Sequence, residues 1–212
     1  MRLTPIACGL AAVLVSSSYV QNATAGASAA ELVREAHEHE AAHDEQVALR
    51  RYADALALDP TLGDAYLGMA ALRLKLGDPR EAERVYSVAL AHVPSLTEAF
   101  AGRAEARRAQ GQRATADADL ESYLRAKETD LQALRRLATW YGEDGFVPAQ
   151  LAAWRRIRAG ALDKRDEGLT REATTMVKAL ALVVGSADPV TKPEGGDPTR
   201  RGLALMAKRA AR

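Results

Sequence analysis

Cysteine is all but missing from this 212-residue chain: the single one, Cys8, lies in an N-terminal stretch that reads as a removable leader. A chain cleaved after Ala25 holds no thiol, which excludes a disulfide framework and a thiolate metal site. Only seven residues, ending Pro5-Ile6-Ala7, precede Cys8, so no apolar segment stands ahead of it to support lipidation. Aromatic residues make up 5% of the chain, and the 8 prolines fall almost entirely outside stretches with helical periodicity. Little is left for a sheet, and abundant alanine and leucine point to an all-α protein. The apolar run from Ile6 to Val15 is too short to span a bilayer, which takes ~20 residues. Signatures of nucleophilic and phosphate chemistry are lacking too, since no serine sits in a Gly-x-Ser-x-Gly pattern and no glycine-rich phosphate loop precedes a helix.

The first residues have a purpose of their own. Met1-Arg2 gives a positive start, the apolar run follows, and Ala23-Thr24-Ala25 offers small residues at the cleavage positions. Residues 1–25 are therefore expected to be a signal peptide, and the protein to be exported, periplasmic or secreted. A retained N-terminal anchor is the alternative.

What the chain does have is an echo. Pro60 and Pro94 each close a stretch reading Ala-x3-Tyr-x2-Ala, first as Ala48, Tyr52 and Ala55, then as Ala82, Tyr86 and Ala89, at a spacing of 34 residues. In register, a first repeat runs from about Ala29 to Leu62, a second from Gly63 to Leu96 and a third from Thr97 to Asp130. The second is the most regular, with Tyr66, Met69, Ala70, Gly77, Ala82, Tyr86, Ala89 and Pro94 at alternating large and small positions. In the third, Phe100, Ala104, Gly111, Ala116, Leu120 and Tyr123 keep the spacing, but Glu128 replaces the proline, so a less abrupt stop to its second helix is expected. A weaker fourth follows with Leu134, Leu137, Ala138, Tyr141, Gly145, Trp154 and Ile157, giving about four repeats over residues 26–162.

Beyond them, Leu169, Ala173, Met176, Val177, Leu180 and Val184 recur at three- and four-residue steps, as in a capping helix over residues 163–185. Residues 186–198 collect Gly, Pro, Ser and Asp without periodicity and read as a flexible linker. Residues 199–212 form a basic tail with Arg200, Arg201, Lys208, Arg209 and Arg212, no acid, and Leu203, Leu205 and Met206 among the bases. Such a segment suits weak contact with anionic lipid or an acidic partner, with a frayed terminus as the plainer reading. Charge is sorted along the chain: residues 26–60 carry 3 bases and 8 acids, residues 61–128 balance at 10 and 10, and residues 129–212 hold 15 bases and 10 acids. This polarity favours head-to-tail self-association. A basic tail without aromatic interleaving gives no case for nucleic acid.

One motif invites an enzyme. His39-Glu40-Ala41-Ala42-His43 satisfies the His-Glu-x-x-His pattern, in which two histidines on one helical face hold zinc and the glutamate activates water. A metal-dependent hydrolase built on this pair is the alternative function. Against it, the register puts His39 near a helix end and His43 in a turn, and only His37 and His92 remain as further histidines. No catalytic, cofactor or metal residue is assigned, and none of the remaining features argues for an enzyme.

The 34-residue period and its Ala, Tyr, Gly and Pro positions resemble those of tetratricopeptide repeat proteins over about residues 29–162. The resemblance implies a right-handed solenoid of antiparallel helix pairs whose first helices line a concave groove for a peptide or protein partner. It places in that groove Val33, His37 and Glu40; Asp64, Leu67, Ala71 and Leu74; Glu98, Ala101, Glu105 and Arg108; and Gln132 and Arg135. Members that clamp the terminal carboxylate of heat-shock chaperones use Lys, Asn and Arg where this chain has Val33, His37, Gly68, Glu98 and Gly102, so no clamp is expected. The function implied is a non-enzymatic scaffold for protein interaction or complex assembly in the cell envelope.

Overall fold

The computed structural model describes residues 27–185, so the signal peptide expected at 1–25, the linker at 186–198 and the basic tail at 199–212 lie outside the described residues. Those described form nine helices and no strand: α1 (Ala29–Ala41), α2 (Glu45–Leu58), α3 (Gly63–Lys75), α4 (Pro79–His92), α5 (Glu98–Ala109), α6 (Arg113–Ala126), α7 (Leu131–Glu143), α8 (Val147–Asp163) and α9 (Glu167–Val184). The all-α class expected from the sequence is the class observed.

Local chemistry decides where several of these helices begin. Ser28 and Glu31 form a reciprocal capping box at α1, each side chain bonded to the other's backbone N–H. Asp78 caps α4, with Pro79 at the first helical position where its missing N–H costs nothing. Asp130 caps α7 through the N–H groups of Gln132 and Ala133, and Asp166 caps α9 through that of Leu169. Among the described residues no helix is both long and apolar enough to cross a membrane.

The turn inside each pair is written in the backbone. The N–H groups of Asp44, Asp78, Gln112 and Phe146 bond the carbonyls of His39, Arg73, Arg107 and Tyr141, five residues back in each case, at 2.8–3.0 Å. This is the Schellman closure, which needs a left-handed residue just before the donor. That residue is His43 (φ 61°), Gly77 (φ 80°), Gly111 (φ 76°) and Gly145 (φ 75°), so the 34-residue period sets backbone conformation as well as side chains. Histidine stands in the first turn where the other three have glycine, and an L side chain in that region carries a cost glycine avoids. His43→Gly is expected to stabilise the protein by about 0.5–1 kcal/mol, read as a higher urea midpoint, because relief of strain outweighs glycine's extra unfolded-state entropy.

The helices divide into two compact units, the first ending at Ser95 and the second starting at Leu96. In unit 1, α1 packs on α2, α2 on α3 and α3 on α4, and α1 also touches α3. Alanines at Ala36, Ala48, Ala55, Ala65, Ala70, Ala82 and Ala89 are fully buried and let the helices approach, while Leu32, Leu49, Tyr52 and Leu72 fill the space between. In unit 2, α5 through α9 pack each on the next. Its core is heavier: Leu120, Leu124, Leu134, Leu137, Trp140, Leu151, Trp154 and Ile157 form one cluster with Ala173, Val177 and Ala181 of α9. At the end of α9, Leu182 and Val183 are exposed and Gly185 closes the helix in the left-handed region.

Helix α6 ends at Ala126, in register with the ends of α2 at Leu58 and α4 at His92, although Glu128 replaces the proline. The expected looser stop does not occur, because Asp130 holds this corner from both sides. It accepts a 2.7 Å bond from the Tyr123 hydroxyl on α6 while capping α7. The bond to Asp130, helped by burial, pushes the Tyr123 phenol up to about 12. Burial alone would raise Asp130, but the Ala133 and Gln132 amides and the Tyr123 hydroxyl outweigh it and hold the carboxyl below its usual range. A raised phenol stabilises the fold below its unfolded value of 10.0, and that contribution is lost as pH climbs to about 12. The depressed carboxyl acts in the opposite sense, contributing above its unfolded value of 3.8 and fading as pH falls. Unit 2 should thus lose stability from pH 10.0 to about 12, and Tyr123→Phe should flatten the decline in urea midpoint over that interval.

Candidate peptide-binding faces

Each unit presents a face made by its odd-numbered helices, and the two faces differ in chemistry. In unit 1 the key group comes from α2. Tyr52 is completely buried except for what its hydroxyl meets: Nδ1 of His37 at 3.0 Å and the carboxylate of Glu40, both on α1. The hydroxyl has one proton and donates it to Glu40, so the His37 contact requires the ring N–H as donor. The imidazole also meets the phenol ring edge-on, with centroids 5.6 Å apart. Burial first, then the bond and charge of Glu40, drive the Tyr52 phenol well above its ordinary value.

Helix α3 meets the same hydroxyl from the other side. A Cβ on Gly68 would lie 2.4 Å from Cζ and 2.5 Å from the hydroxyl oxygen of Tyr52, so only a glycine lets the helix come this close. Beside Gly68 on α3 runs a row of Asp64, Leu67, Ala71 and Leu74 at helical spacing. Asp64 and Ala71 are exposed, and Leu67 and Leu74 are half-buried. His37, Glu40 and this row are therefore brought to one place by Tyr52 and Gly68. Val33 is not on that face, for its side chain is packed in the core with Leu32 and Ala36.

In unit 2 the corresponding positions are mostly engaged in holding helices together. Glu105 on α5 pairs with Arg136 on α7 at 2.6 Å, and Arg135 on α7 pairs with Glu172 on α9. Glu98 pairs with Lys127 at 3.4 Å, and Ala101 packs against the core cluster. Gln132 is exposed. Arg108 is the most committed: its guanidinium reaches Asp144 at 2.5 Å and Glu143 at 2.7 Å, and lies 5.2 Å above the ring of Trp140. Asp144 is held below the usual carboxylate range, chiefly by Arg108.

A second ionic knot is centred on a buried carboxylate of α6. Asp119 is 5% exposed and accepts 2.8 Å bonds from Arg103 and from Arg107. The register carries the signal, because Asp119 lies 34 residues after Val85, a core residue. Its neighbour Asp117 is raised, mainly by burial, with the Arg108 cation opposing.

The zinc-like pattern does not form a helical pair. Helix α1 stops at Ala41, and His43 follows in the left-handed turn, while His39 faces Asp44 at 3.5 Å. Among the described residues no three His, Cys, Asp or Glu side chains are grouped to hold a metal ion.

Helix pairs, left-handed turn residues at a 34-residue period and small residues at the crossings describe one family, and the profile of the tetratricopeptide repeat matches residues 39–106. Over those residues the chain is similar to the tetratricopeptide repeat. Its fold is shared with solved structures at low identity. The first such repeat domain of Spaghetti (RPAP3), bound to the HSP90 peptide SRMEEVD, is 21% identical, with a TM-score of 0.53 over 55% of this chain and 93% of that one. YrrB, described as having an unusual peptide-binding site, is 18% identical, with a TM-score of 0.53 over 85% and 92%. A tetratricopeptide repeat protein of Parabacteroides merdae is 17% identical, with a TM-score of 0.58 over 79% and 63%. The sequence matches no curated protein. A tetratricopeptide repeat over residues 39–106 supports a scaffold for protein–protein interaction.

Proposed function

We propose that the protein is a non-enzymatic scaffold, exported to the cell envelope, that receives a peptide segment with apolar and basic side chains on the α1/α3 face of unit 1. The observation that carries this reading is the row Leu67, Ala71 and Leu74 beside Tyr52, with Asp64 and Glu40 at its margins. Asp64 has no ion-pair partner among the described residues, whereas the matching face of unit 2 is tied up in salt bridges. Half-buried leucines supply contact area, and acids at the rim without a cation partner among the described residues select against acidic ligands. The peptide-bound Spaghetti domain and the peptide site of YrrB support a peptide as the kind of partner. Spaghetti's acidic peptide is not the kind expected here, since Gly68 is closed against Tyr52 and Val33 is buried. Export rests on the leader sequence at residues 1–25.

A panel of synthetic peptides tests this. Peptides mixing leucine with lysine or arginine should bind, acidic peptides of equal hydropathy should not, and the double variant Leu67→Glu/Leu74→Glu should weaken binding ~100-fold with helicity retained. Equal binding of acidic and basic peptides would sink the site. Export is checked separately by sequencing the N-terminus of the envelope fraction, where a start at Gly26 is expected and an intact Met1 in the cytosol would refute it.

A further inference from the structure

The chain contains a segment of the chemistry that the α1/α3 face selects. Residues 199–212 hold five bases and no acid, and place Leu203, Leu205 and Met206 between Arg200-Arg201 and Lys208-Arg209. We propose that this segment of one copy docks on the α1/α3 face of unit 1 in a second copy, giving a head-to-tail assembly. The inference rests on the reading of that face given above and names its occupant.

Reach and charge agree. From Leu67 to Leu74 the α3 row advances about 10 Å at 1.5 Å per residue. An extended peptide covers about the same distance from Leu203 to Met206 at ~3.3 Å per residue, so its apolar residues match the row in length. The bases on either side then meet the exposed Asp64 at one margin and the half-buried Glu40 of α1 at the other. Residues 26–60, which include α1, carry 3 bases against 8 acids, so one side of the acceptor lies in the acidic part of the sequence and the donor in the basic part. Donor and acceptor are different surfaces, so the contact is heterologous and one copy can engage two others.

The test uses the full-length protein in sedimentation velocity. Wild type should show a mass that rises with concentration at low salt, and raising ionic strength from ~0.01 to ~0.15 M should weaken association ~10-fold as the screening length shrinks. A donor variant replaces Arg200, Arg201, Lys208, Arg209 and Arg212 with Gln, and an acceptor variant carries Asp64→Lys and Ala71→Lys at exposed positions that keep the fold. Each alone should be monomeric, and their mixture should form a one-to-one dimer, because each supplies the surface the other lacks. Wild type that stays monomeric at low salt, or a donor variant that associates like wild type, would overturn the proposal. A synthetic 199–212 peptide that fails to bind wild type while other leucine-arginine peptides succeed would overturn it too, and leave the α1/α3 face standing as a site for a different partner. Failure of every such peptide would reject both.

Discussion

Gly68→Ala should cost about 3 kcal/mol, although alanine is the better helix former by about 1 kcal/mol. A single methyl group at this point meets Cζ of Tyr52 at 2.4 Å and Cε1 at 2.7 Å. The ring has no room to yield, for Tyr52 is entirely buried among Ala36, Ala48, Ala55 and Ala65. Either α3 moves away from α2, opening the core, or the phenol turns and its hydroxyl leaves His37 and Glu40. Overpacking of this kind costs about 1–3 kcal/mol, and a buried hydroxyl without partners adds a similar amount. Urea unfolding followed by far-ultraviolet circular dichroism measures it, and a midpoint equal to wild type would show that the two helices are not held at this distance. A companion variant, Tyr52→Phe with Gly68 retained, should lose less because the ring still fills its place.

Arg108→Ala should cost about 2–3 kcal/mol, and the loss should appear in stability rather than in binding. Arg108 occupies the register position of Leu74, so the family pattern assigns it to the groove. Its side chain is only 13% exposed and joins α5 to the end of α7 through Asp144, Glu143 and the face of Trp140. Truncation leaves Asp144 with Arg113 as its remaining cation at 2.9 Å, and leaves Asp117 buried without the guanidinium that opposes its protonation. Arg108→Lys should recover little, because one ammonium cannot bond both oxygens of Asp144 and lie flat on the indole. A variant as stable as wild type that still loses partner binding would return Arg108 to the groove.

These two residues show how far the sequence could be read. The spacing of Ala48, Tyr52, Ala55 and Pro60 against Ala82, Tyr86, Ala89 and Pro94 was enough for an all-α stack of helix pairs, because close helix crossings demand small residues at fixed intervals. It was also enough to suggest that His43 falls in a turn, since Gly77, Gly111 and Gly145 occupy the same place in later repeats. Register says which helix face a residue occupies and nothing about what that side chain touches. Val33 therefore counted as groove although α1 tilts it into the core, and Arg108 counted as available although Asp144 claims it. Tyr52 was legible as a core residue, but its link to His37 and Glu40 depends on the approach of α1 and α3. That is a distance between elements far apart in sequence, set by the absence of a side chain at Gly68.

The heavier core of unit 2 has a practical consequence. Both tryptophans of the chain, Trp140 and Trp154, lie there, whereas the described residues of unit 1 have Tyr52, Tyr66 and Tyr86 and no tryptophan. Indole fluorescence is thus a private signal of the second unit. Exciting indole alone at the red edge of its absorption follows unit 2 without a label, and setting that curve beside far-ultraviolet circular dichroism, which reports every helix, tells a change at Gly68 from a change at Arg108.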